Sequence, residues 1–196
     1  MKLLFYDLET TGVRYWKNGI HQISGEIVID GESKEKFNFF VKPHESCLIE
    51  EEALAVCNVT SEQIKAYPPM NEVYLELTNL LAKYIDKFDK KDKFFLVGYN
   101  NSSFDNAFFK AFFVQNNDNY FYSWFWVNSI DVMVLSTLFL MDKRASMRNF
   151  KQETVARELG IELDSTKLHD AHYDVWLTKI IYDKIIENSA IKRTLF

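Results

Sequence analysis

The sequence predicts an α/β fold in which helices flank a mixed β-sheet, and three observations carry that reading. Residues 2–8 (KLLFYDL) form an apolar run of strand length. Two β-patterned runs, HQISGEIVIDG and KEKFNFFVKP, flank Asp30-Gly31, a dipeptide suited to a tight hairpin turn. Beyond residue 70 the apolar spacing changes to the helical period, and one further buried strand, KFFLVGY, interrupts it. The chain has 196 residues, 47% hydrophobic and 26% charged, enough for a sizeable core. No repeat, Gly/Ser linker or low-complexity tract divides it, so a single domain over 1–196 is expected.

The elements follow in order. The first strand and the hairpin should give three antiparallel strands. Thr60 and Gln63 have capping-box spacing before a short helix. After Pro68-Pro69, Val73, Leu77, Leu80, Leu81 and Tyr84 share one helical face. Residues 93–99 form a buried strand, and SFDNAFFKAFF is helical. YFYSWFWVNS (120–129) is either a further strand or an aromatic loop; its alternation is that of a half-buried strand, and Tyr120, Tyr122, Trp124 and Trp126 would otherwise be free to stack on bases. Asp131 opens an apolar helix that fits a core position and runs to about Met141. NFKQETVARELG is a helix stopped by Gly160. The last helix covers about 170–187 and buries Ala171, Val175, Thr178, Ile181 and Ile185.

Composition excludes several classes. The formal net charge is −5, from 28 acidic and 23 basic residues, which argues against a protein coated in basic charge for non-specific DNA binding. Cys47 and Cys57 have no zinc-ligand spacing and read as reduced thiols in a cytoplasmic protein. The N-terminal apolar run ends at Asp7, too soon for a signal peptide. VMVLSTLFLM is too short to span a bilayer.

The first strand raises a physical problem. Asp7 and Glu9 are two residues apart, so they share one face, roughly 7 Å from each other, at the end of a buried element. Unpaired, such carboxylates cost several kcal/mol (order of magnitude) to bury. Two further acids stand out. Asp105 follows Phe104 where a buried strand gives way to a helix; a first-turn carboxylate favoured by the helix dipole is the alternative. Asp174 lies one turn into the last helix, at the margin of its buried stripe, with His169 five residues earlier. A solvated helix acid and a capping histidine are the alternatives there.

Brought to one end of the sheet, Asp7, Glu9, Asp105 and Asp174 would repel one another unless cations intervened. Two Mg²⁺ ions, or Mn²⁺ in their place, balance four carboxylates. Hard oxygen donors without cysteine favour these ions over Zn²⁺. Two ions about 4 Å apart can clamp the attacking and leaving oxygens of a phosphoryl displacement. A histidine titrating near neutrality can take the proton from the attacking water.

DLETTG (Asp7–Gly12), NSSFD (Asn101–Asp105) and HDAHYD (His169–Asp174) resemble the three exonuclease motifs of the DEDDh 3′→5′ exonucleases. The epsilon proofreading subunit of bacterial replicative polymerases, ribonuclease T and oligoribonuclease belong to that superfamily. The resemblance covers nearly the whole chain in the family's order, and EEALAVCNVTSEQI is similar to the connector after its third strand. It implies a ribonuclease H-like fold, with Asp7, Glu9, Asp105 and Asp174 as metal ligands and His169 as general base. The family's tyrosine branch has Tyr where this chain has Asp170, so the histidine branch is indicated, and His172 stands at a spacing the motif does not use. Leu8, Thr10 and Thr11 match positions that contact the 3′-terminal nucleotide, and Asn101 and Phe104 match the second motif. One departure is Asn100, after Tyr99, where many relatives carry His.

The expected activity is therefore metal-dependent 3′→5′ hydrolysis of nucleic acid, single-stranded DNA first, to nucleoside 5′-monophosphates. An RNA-trimming exonuclease, a polymerase-associated proofreading subunit and a catalytically vestigial binding module are the alternatives. Lys143, Arg144, Arg148 and Lys151 either touch backbone phosphates or form a solvated connector. Asp131 either supports the site or caps its helix. The final IKRTLF either folds back through Phe196 or docks Leu195-Phe196 on a sliding clamp or polymerase.

Overall fold

The structure is a computed structural model describing residues 1–164, 166, 168 and 170–189. A five-stranded sheet has the order β3-β2-β1-β4-β5. Strands β1 (Lys2–Thr10), β2 (Ile20–Ile29) and β3 (Glu32–Phe40) are antiparallel neighbours. Strands β4 (Phe95–Gly98) and β5 (Ile130–Asp131) run parallel to β1 on its other side, so the sheet is mixed. The β2–β3 turn is the expected one: Asp30 and Gly31 both take positive φ, 52° and 85°.

Helices α1 (Glu51–Val56), α2 (Ser61–Lys65) and α3 (Met70–Ala82) fill the connection from β3 to β4. The capping box of α2 forms as its sequence requires. Helix α1 had no clear signal, because its N-cap Glu50 makes no side-chain cap bond and it buries only Leu54. Then follow α4 (Asp105–Gln115), α5 (Phe121–Trp124), α6 (Val132–Phe139), α7 (Gln152–Glu158) and α8 (Ala171–Asn188).

Two expectations need correction. Residues 120–129 hold no full strand: α5 is a single turn, and Phe94 bridges Phe125 beyond it. Burial decided this, since Phe121, Trp124 and Phe125 enter the core while Tyr120 and Tyr122 stay exposed, a spacing nearer the helical turn than strict alternation. Helix α6 is not a core helix either. It buries Val132 and Ser136 and leaves Val134 and Leu138 exposed.

The core is divided by the sheet. On one face Leu4, Tyr6 and Leu8 of β1 pack with α3, α4 and α5, in a cluster rich in phenylalanine. On the other, Leu3, Phe5, Val28 and Val97 pack with α6, α7 and α8. The stripe predicted for the last helix is buried there in full. Among the described residues no helix is long and apolar enough to cross a membrane. Residues 190–196, which hold the apolar tail, lie outside the described residues.

Candidate active site

The α8-facing side of β1 turns from apolar to acidic as the strand leaves the core. Leu3 and Phe5 are buried, and Asp7 and Glu9 continue the same face. Asp174, in the first turn of α8, packs against that face and is itself buried. Ligand oxygens of Asp7, Glu9 and Asp174 all lie within 4.8 Å of one another. Opposite oxygens on one Mg²⁺ are at most about 4.2 Å apart, so small side-chain motions close the set around a cation. The donors are hard carboxylates, which fit a divalent metal of the Mg²⁺ or Mn²⁺ class.

Asp105 comes from the opposite side of the sheet. It opens α4, whose phenylalanines pack on the aromatic face, and is 6% exposed. The backbone N–H groups of Asp105 and of Leu8 in β1 favour its charged form, against the burial that disfavours it. It lies outside the three-acid group but close enough to act on Asp7 electrostatically. Burial pushes the Glu9 carboxyl up to about 7 and the Asp105 carboxyl up to about 7. Asp7 is raised well above the ordinary carboxylate range by burial, then by Asp105 and Glu9. These acids resist ionisation together, as expected of a site whose charge a cation completes.

The surrounding bonds explain how the loops reach this point. Asp131 caps α6 through the Met133 N–H, as predicted, and its carboxylate also accepts from Asn100 N (3.0 Å), Ser102 N and Ser102 Oγ (2.5 Å). It therefore fixes the turn that delivers Asp105. Gly98 lets Asn101 pack against the end of β4, because a Cβ there would lie 2.7 Å from the Asn101 Cβ. Tyr6 donates its hydroxyl to Asn106 at 2.6 Å, joining β1 to α4 beside Asp105. Asp170 caps α8 through His172 N and Tyr173 N, and Gln152 holds the Asp174 carbonyl and Thr178 at 2.9 Å each.

Of the residues matched to substrate contacts, Leu8, Thr10, Thr11 and Asn101 are buried and Phe104 is partly exposed. The Thr10 hydroxyl donates to the Gly12 carbonyl and that of Thr11 to the Leu48 carbonyl, so both brace the loop after β1. His169 lies outside the described residues. His172 lines a cavity of about 790 Å³ with Glu26, Lys36, Asp170 and Trp176. Of the basic connector, Lys143 pairs with Glu158 at 3.6 Å and Arg144 lies over Phe150.

Sequence reasoning missed Cys57. Its thiol, at the end of α1, donates to Glu9 Oε2 at 2.9 Å, and burial followed by the Glu9 charge raises its pKa. The signal was present only as a cysteine in the connector after the third strand, 48 residues from its partner.

A mixed sheet whose first strand and two helix N-termini gather Asp7, Glu9 and Asp174, with Asp105 nearby, is an α/β domain with an acidic site at one end of its sheet. The family comparison agrees: residues 4–182 match the model of the exonuclease family RNase_T, and the chain belongs to that family. Among individual proteins, the chain is 26% identical to the PolC-type DNA polymerase III of Mycoplasmopsis pulmonis (strain UAB CTIP) over 170 residues, covering 86% of this chain and 10% of that protein. It is also 26% identical to the PolC-type enzyme of Staphylococcus haemolyticus (strain JCSC1435) over 182 residues, covering 93% of this chain and 11% of the relative. The fold is shared with E. coli exonuclease I in complex with a dT13 oligonucleotide, with a TM-score of 0.77 and 21% identity, over 98% of this chain and 42% of that one. The chain thus spans about a tenth of the polymerase relatives and under half of exonuclease I.

Proposed function

We propose that this chain is a single exonuclease domain that degrades nucleic acid, single-stranded DNA first, from the 3′ end, releasing nucleoside 5′-monophosphates. The observation that carries the reading is the gathering of Asp7, Glu9 and Asp174 within 4.8 Å, with the buried Asp105 beside them. Asp7, Glu9, Asp105 and Asp174 would hold two Mg²⁺ ions, or Mn²⁺ in their place. When bound, the ions supply charge neutralisation and Lewis acidity at the scissile phosphate.

The chain's own groups do the rest. The Leu8 backbone and the partly exposed Phe104 ring border the site and orient the terminal nucleotide. The imidazole of His169 takes a proton from the water that attacks phosphorus. The bond from phosphorus to the upstream O3′ breaks, and that oxygen takes a proton from solvent water to become the new 3′-hydroxyl. The two thiols are free, which suits a reducing cytoplasm. Polymerase association is a second reading, favoured by the likeness to PolC-type enzymes.

Matched 5′-labelled DNA and RNA oligomers, digested with Mg²⁺, Mn²⁺ or chelator, test the proposal. The expected result is a ladder shortening from the 3′ end, only with metal and faster on DNA. Full digestion in excess EDTA overturns the metal reading, and faster loss of RNA moves the substrate to RNA. His169→Ala should lower turnover by about 10²–10⁴-fold, and His172→Ala by far less. Equal losses would remove His169 from the role of base.

A further inference from the structure

The loop between β1 and β2 carries a feature the catalytic reading does not use. Tyr15 and Trp16 stand side by side at its tip, 45% and 65% exposed, with ring centres 5.1 Å apart and planes nearly perpendicular. Large aromatic side chains are costly to leave in water, so an adjacent exposed pair calls for an explanation.

The tip is not a floppy excursion. Lys17 N and Asn18 N both donate to the Arg14 carbonyl, at 2.8 and 2.7 Å, which closes a turn with the two rings at its centre. The buried Asn18 side chain binds Arg14 N, the Leu48 carbonyl and Glu50. Arg14 pairs with the same Glu50 at 2.5 Å. The rings are therefore held out by a braced turn, and little order must be imposed when something binds them.

Three routes connect this turn to the acidic cluster. Along the chain, Tyr15 is six residues beyond Glu9, so their backbones are no more than roughly 20 Å apart. Through space, Tyr15 meets Phe108 (6.5 Å between ring centres), and Phe108 meets Phe104 (5.0 Å), the residue before Asp105. On the third side, Glu50 leads directly into α1, whose end carries the Cys57 thiol that holds Glu9. Lys17, exposed next to the two rings, adds a cation, while Arg14 is taken up by Glu50. Exposed aromatic rings with a neighbouring lysine, on a braced turn linked to the acidic site, match the chemistry of an unpaired nucleic-acid strand: stacking takes the bases and the lysine takes a phosphate.

We propose that Tyr15 and Trp16 form a base-stacking platform that grips unpaired nucleotides of the substrate strand upstream of the acidic site. The platform makes the enzyme favour single strands, because a paired base has no free face to offer. This rests on the exonuclease reading above.

The test compares Tyr15→Ala, Trp16→Ala, the double variant and Trp16→Phe on a labelled ten-nucleotide single strand and on a dinucleotide. The dinucleotide is too short to fill both the site and the platform. Each alanine should raise KM for the ten-mer about tenfold with kcat nearly kept. Trp16→Phe should recover most of the loss, and the dinucleotide should respond less than twofold. An unchanged ten-mer KM in the double variant overturns the proposal, as does an equal loss on both substrates. Binding is measured separately, by quenching of tryptophan fluorescence with the ten-mer in chelator and Trp16→Phe as reference. Quenching that depends on Trp16, in a protein without hydrolysis, would keep the platform and reject the exonuclease reading. No quenching and no hydrolysis reject both.

Discussion

The two faces of β1 begin alike and end differently. Leu4, Tyr6 and Leu8 stay apolar or aromatic throughout and are sealed by α3, α4 and α5. Leu3 and Phe5 start the opposite face in the same way, but Asp7 and Glu9 finish it. Phe109 meets Tyr6 in a stack at 5.2 Å and touches Phe113, Phe121 and Phe125, so every side of its ring is occupied. The acidic face instead assembles charges that repel each other in a poorly solvated place. One face is packed for stability, and the other gathers carboxyls whose charged forms burial and mutual repulsion disfavour.

The strongest way to break the comparison is to remove an acid. Asp174→Ala or Asp7→Ala should abolish nearly all hydrolysis while leaving the melting temperature equal or higher in chelator. Activity assays paired with thermal melts check this, and a well-folded, fully active Asp7→Ala would remove the acidic face from function. On the aromatic face the consequence inverts. Phe109→Ala should cost about 3–5 kcal/mol of stability, read by denaturant titration, while residual folded protein keeps its turnover.

Acidity sharpens the contrast further. The carboxyls of Glu9 and Asp105 are raised to about 7 in the fold, so the native state holds protons that the unfolded chain has released. Their contribution is complete near pH 4 and is lost as pH rises through 7. In chelator, the melting temperature should therefore fall between pH 5 and 8, and saturating Mg²⁺ should flatten that fall. His21, fully buried on β2, works in the opposite sense. Burial lowers its pKa to about 4, so its contribution is present above pH 6.5 and is lost as pH falls towards 4. With Mg²⁺ bound, the remaining acid sensitivity should shrink in His21→Leu. A melting temperature independent of pH in chelator would contradict the raised carboxyls.

The smallest expected effect concerns Cys57. Cys57→Ala removes a weak donor from Glu9 and should weaken Mg²⁺ binding several-fold by calorimetry, whereas Cys57→Ser should restore it. Equal affinity in all three proteins would make the thiol a bystander.

Much of this molecule is local in origin and could be read directly. The hairpin at Asp30-Gly31, the capping box of Thr60, the stripe of α8 and the three motifs each depend on residues a few positions apart, where period and turn chemistry act. The pairing of Asp7 with Glu9 on one face follows from strand geometry alone. What the sequence could not determine is set by contacts between distant segments. Packing of Phe121, Trp124 and Phe125 turned an alternating run into a helical turn, and the sheet left one side of α6 uncovered although its composition suits a core. The contact of Cys57 with Glu9 and the brace of Asn18 across Leu48 and Glu50 join residues 30 to 48 positions apart. Such contacts exist only after the chain has folded, because the free energy of a side chain depends on which surfaces the fold brings against it, and no local pattern encodes that choice.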